Sequence, residues 1–125
     1  MALVLCTGVN KALLETRRLI LERAGHAVVS VTDEPSLLRA CQKQSFDVAV
    51  IGQSVSHNSK LRLESLIRQH CPEIKILELY PQFSSRVLPD ADAALAVPLD
   101  VPKDLADRVN ELAKQKKGAG GTESD

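Results

Sequence analysis

The chain has no tryptophan, one tyrosine, two phenylalanines and one methionine in 125 residues. With aromatics at 2% and hydrophobic residues at 44%, a core must be built from Leu, Val, Ile and Ala. Excess charge is also lacking. Lysine plus arginine equals aspartate plus glutamate at 16 each. That argues against a nucleic-acid binder, whose affinity rests on positive charge meeting phosphates. No apolar run approaches the roughly 20 residues of a membrane span, so no membrane partner is expected. The N-terminus MALVLCTG has no basic leading segment, and it reads as no signal peptide. The three cysteines, Cys6, Cys41 and Cys71, lack paired spacing. They read as reduced thiols of a cytoplasmic protein, with Cys41 and Cys71 as packing residues of helices. No internal repeat is present, and the length suits one domain.

What is there alternates strand and helix. ALVLCT opens as a buried strand. Asn10 can cap a helix with Leu13, Thr16 and Ile20 on one face and Gly25 at its stop. HAVVSVT reads as a second strand. Asp33 caps the next helix, with Pro35 in its first turn and Leu37, Leu38 and Cys41 facing inward. DVAVI is a third strand, and QSVSHNS a polar turn. LRLESLIRQH is amphipathic through Leu63, Leu66 and Ile67, and Pro72 closes it. KILEL is a fourth strand and YPQFSSRVLPDAD is irregular. AALAV is a fifth strand ended by Pro98. Asp100 caps a last helix with Pro102 early in it and Leu105, Val109 and Leu112 as its buried stripe. From Lys114 the tail KQKKGAGGTESD has no side chain larger than alanine that is apolar, so residues 114–125 are expected to be disordered. Strands alternating with helices predict an α/β fold, a parallel sheet with helices on both faces.

This arrangement resembles the receiver domain of the response regulators of bacterial two-component signalling. ALLETRRLILERAGHAVVSVTDEPSLLRACQKQSFDVAVIG looks like a receiver's first two helices and third strand without a gap. RQHCPEIKIL and DADAALAVPLD look like its later stretches, and the resemblance spans residues 2–113. It implies a flavodoxin-like, doubly wound sheet of five parallel strands in the order 2-1-3-4-5. The stretch from Tyr80 to Val97 is shorter than the family's, which leaves roughly one turn for a shortened fourth helix. In many receivers that helix belongs to the dimerising surface, so a family-type dimer is not expected.

The family's chemistry needs two acids after strand one, an aspartate ending strand three, a Ser or Thr ending strand four and a Lys ending strand five. By register these fall on Gly8 and Val9, Gly52, Tyr80 and Val97. No carboxylate remains to hold magnesium or take a phosphoryl group. The resemblance therefore implies a pseudo-receiver, non-enzymatic and without cofactor or metal. It would act as a stand-alone module in contact with an unknown signalling protein. A homodimer, in which the chain serves as an oligomerisation module, is an alternative.

Other candidates have plainer readings beside them. Cys6-Thr7-Gly8 suggests a phosphocysteine like that of sugar phosphotransferase subunits, but the register puts Cys6 inside a strand. His57 sits among Ser54, Ser56 and Ser59 with no acid to orient it, and reads as a solvated loop residue. Asp33 and Glu34 lie on the same edge of the sheet and are the candidates to replace the missing acids, though a helix cap is simpler. The run KQKK reads as a solvated helix end. Tyr80, Phe83, Val87 and Leu88 lie where the fourth helix is short. They either fold back as a cap on the core or form an apolar patch that docks a partner.

Overall fold

The computed structural model describes residues 2–71, 73–97 and 103–121, and side chains as far as residue 115. The elements run β1 (Leu3–Thr7), α1 (Lys11–Arg23), β2 (Ala27–Val31), α2 (Glu34–Lys43), β3 (Val48–Ile51), α3 (His57–His70), β4 (Lys75–Pro81), β5 (Ala93–Val97) and α4 (Lys103–Gly121). All strand pairs are parallel, in the order β2-β1-β3-β4-β5. Parallel strands are what the strand–helix alternation predicts, and this order is what the resemblance to receivers implies. The expected roles of Pro72, Pro98, Asp100 and Pro102 lie outside the described residues.

The two-residue period of the strands divides the core. Val4 and Cys6 of β1, Val48 and Val50 of β3, and Leu77 and Leu79 of β4 face one way, under α1 and α4. Leu5, Ala49, Ile51 and Ile76 face the other way, under α2 and α3. Since both faces are covered, the strands read as unbroken apolar runs. Leu105, Val109 and Leu112 form the buried stripe of α4, as predicted.

The helix starts follow local chemistry. The Asn10 side chain accepts the Leu13 N–H at 3.1 Å, and Asp33 accepts the Ser36 N–H at 2.8 Å. Both satisfy donors that a helix leaves orphaned. Gly25 takes a φ of +92° after α1, a conformation that other residues adopt at a cost.

Five expectations need correction. The inward face of α1 is Leu14, Arg17 and Leu21, one residue on from the stripe read in the sequence; Thr16 is exposed. The polar turn after β3 is shorter than expected. Ser56 caps α3, so His57 is its exposed first residue and not a loop residue. Between β4 and β5 there is no helix at all, only turns and bends. The last helix runs to Gly121, past Lys114; Lys114 to Lys117 are good helix formers, and it continues through Gly118, Gly120 and Gly121 against their low propensity. Lastly, Cys41 and Cys71 are joined in a disulfide. They stand 30 positions apart and meet only because α2 and α3 lie side by side.

The β4–β5 connection is held from beneath. Leu88 is fully buried on the α2–α3 side, with Val87 and Ala91 partly buried beside it. They fill space that a helix would otherwise cover. The Glu78 carboxylate, inside β4, accepts the N–H groups of Val87 at 2.7 Å and Leu88 at 2.9 Å. Lys60 of α3 reaches the same carboxylate at 2.9 Å and the Leu79 carbonyl at 2.8 Å.

Candidate functional site

The carboxyl ends of parallel strands are where such sheets place ligands and chemistry. The loops after β1, β2 and β3 meet there around a cleft of about 120 Å³, lined in part by Thr7, Gly8, Thr32, Asp33, Val55 and Ser59. The five positions singled out by register all lie at this edge. Gly8 follows β1, and the Val9 beside it is exposed. Gly52 follows β3, Tyr80 is the penultimate residue of β4, and Val97 ends β5.

Gly52 is glycine for a steric reason. Its N–H donates to the Thr7 carbonyl at 3.0 Å. A Cβ at this position would lie 3.0 Å from that same oxygen and 3.1 Å from Nη1 of Arg17. The oxygen is backbone and cannot swing away.

The second neighbour is a residue that the sequence reading missed. Arg17 comes from α1, is 7% exposed, and donates to Oε1 of Gln53. Among the described residues no carboxylate pairs with it. Burial pushes its guanidinium below the ordinary range, against a smaller pull upward from Cys6. It stays charged all the same. A fixed cation thus stands beside the point where a side chain at position 52 would begin.

The acids near the cleft are already engaged. Hydrogen bonds from Ser36, first of all from its backbone N–H, hold Asp33 below its usual range. The hydrogen bond from Arg62 does the same for Glu34. No cluster of three or more His, Cys, Asp or Glu able to hold a metal occurs among the described residues. Cys6 is fully buried within β1, and burial pushes its thiol up to about 12. Such a thiol has almost no thiolate, which is the form that attacks phosphorus.

The patch read from Tyr80, Phe83, Val87 and Leu88 divides in two. Leu88 is core, and Val87 and Tyr80 are half-buried. Phe83 is 97% exposed. The cap and the outward patch both exist, but in different residues. Glu78 and Lys60, the other pair missed, left one trace in the sequence: a glutamate inside the apolar run KILEL.

No protein-family model matches this chain. No curated protein matches it. Solved structures do. A CheY-like response regulator receiver domain from Methanospirillum hungatei is similar with a TM-score of 0.81 at 18% identity, over 95% of this chain and 98% of that one. The receiver domain of the Francisella response regulator 1452 aligns with a TM-score of 0.76 at 20% identity, over 92% and 98%. Full-length FixJ from B. japonicum aligns with a TM-score of 0.83 at 16% identity, over 98% of this chain and 63% of its own. The chain has the response-regulator receiver fold. No helix among the described residues is long and apolar enough to cross a membrane.

Proposed function

We propose that this chain is a signalling module of the receiver type that works by protein contact without taking a phosphoryl group. One observation carries the reading. The position that should bear the phosphoacceptor is Gly52, and the space beside it is filled by the Thr7 carbonyl and the Arg17 guanidinium. Phosphoryl transfer to a carboxylate needs the carboxylate and a cation to neutralise the incoming charge. Here the carboxylate is missing, as is the acidic pair at Gly8 and Val9 that would hold a metal. In this reading the chain is not an enzyme and is cytoplasmic. Its output passes through a surface, and Phe83, presented on a connection anchored by Glu78, is the leading contact.

The test is intact-mass measurement after incubation with acetyl phosphate, with and without magnesium. The expected mass is unchanged. An acid-labile phosphoryl adduct would sink the reading and point to another carboxylate, Asp33 first. An alkali-stable adduct lost in Cys6→Ser would revive the cysteine chemistry. Sedimentation at several concentrations separates a partner protein from a second copy as the occupant of the Phe83 surface.

A further inference from the structure

The Cys41–Cys71 bridge ties together two helices that otherwise meet through apolar packing and one exposed ion pair. Their Cα atoms are 5.7 Å apart, within the span a disulfide requires. Cys41 lies near the end of α2 and is half-buried; Cys71 caps the end of α3 and is 6% exposed. Toward the other ends of these helices the tie is the Glu34–Arg62 ion pair. That pair is solvent-exposed and worth little. Apolar packing through Leu37 and Ile67 supplies the rest. Cys6 belongs to the core on the opposite side of the sheet and is fully buried, so it does not compete for exchange.

We propose that Cys41 and Cys71 form a thiol–disulfide exchange site for low-molecular-weight thiols and disulfides. The site goes beyond the signalling reading above and does not depend on it. To close the clasp, the Cys41 thiolate attacks a small disulfide RSSR. A bond forms between Cys41 and one SR group, and RS⁻ leaves and takes a proton. The Cys71 thiolate then attacks Sγ of Cys41, forms the protein disulfide and expels the second RS⁻. The two protein thiols lose two protons and two electrons, and RSSR becomes two RSH. Opening is the reverse, with a small thiol entering at the more accessible Cys41. Closed, the clasp fixes the end of α2 to the end of α3. Open, it leaves α2 held by the exposed ion pair and apolar contact alone.

The experiment takes the full chain through glutathione buffers from fully oxidised to fully reduced. Samples are alkylated under denaturing conditions and weighed intact, and parallel native samples undergo amide hydrogen exchange. One added alkyl group is expected at the oxidised end, from Cys6, and three at the reduced end, with one two-electron step between. On opening, exchange should quicken in α2 and the end of α3 while β1 and α4 stay unchanged. Cys41→Ser should never form the internal bond: it should take two alkyl groups in reduced buffers, two or one plus a glutathione on Cys71 in oxidised ones, and show the reduced exchange pattern throughout. If that variant does not fold, the reduced native chain carries the same readout. Three groups in every buffer would mean no bond and overturn the proposal. A bond that survives excess thiol under native conditions would overturn it too, as would a clasp that switches with no change in exchange.

Discussion

Arg17 and Gly52 occupy one small volume, and each explains the other. A guanidinium enters the end of the sheet because position 52 has no side chain, and a side chain there would press on the Thr7 carbonyl and on Arg17, which would have to give by a few tenths of an ångström. Gly52→Ala should therefore cost about 1–3 kcal/mol, an overpacking loss, read as a lower denaturation midpoint. Gly52→Asp should not regain phosphorylation with acetyl phosphate. Its carboxylate would pair with Arg17, and Gly8 and Val9 would still offer a metal nothing. A phosphoryl adduct on that variant would contradict this account. Arg17→Met is expected to leave stability within about 1 kcal/mol of the native chain or raise it. The side chain removed is a buried charge with no acidic partner among the described residues. A loss above about 3 kcal/mol would mean that the Gln53 contact carries far more than a typical hydrogen bond.

At the scale of elements, the β4–β5 connection persists without a helix because Glu78 gives its backbone a partner. The carboxylate accepts two of its amides and the Lys60 ammonium, the Leu88 and Lys60 contacts buried and the Val87 contact partly so. Burial pushes the Glu78 carboxyl up, but the amides of Val87 and Leu88 and then Lys60 pull it further down, so it lies below its usual value. A depressed carboxyl stabilises the fold above its unfolded pKa and loses that contribution as pH falls through the folded one. Stability should therefore drop as pH falls below about 4, with amide exchange rising first at Val87 and Leu88. Glu78→Gln should flatten this dependence. It should also cost about 3–5 kcal/mol at neutral pH, because Lys60 is left buried without its counter-ion. Equal acid sensitivity in that variant would assign the effect to other carboxylates.

For the molecule as a whole, the same connection separates stability from output. Leu88→Ala should cost about 2–5 kcal/mol, since it empties a fully buried site. Phe83→Ala should change stability by no more than about 0.5 kcal/mol, because its ring is 97% exposed. If the contact reading holds, the Phe83 variant loses association while its unfolding curve stays in place. Unaltered association would remove Phe83 from the interface.

The division between sequence and structure follows from range. Strand and helix periodicity, the caps at Asn10 and Asp33 and the parallel pairing are legible in the chain alone, while the strand order and the significance of Gly8, Val9 and Gly52 come through the resemblance to receivers. Each depends on residues close in sequence or on an unbroken register. The sequence places the stripe of α1 one residue off because Leu13 and Leu14 suit either register, and only packing against β1, β2 and α4 decides for Leu14, Arg17 and Leu21. Four pairings were decided by tertiary structure: Arg17 with Gln53, Lys60 with Glu78, Glu78 with the amides of Val87 and Leu88, and Cys41 with Cys71. Each joins groups on different elements or across a turn. A buried polar group demands some partner, but which partner depends on the elements the fold has laid beside it.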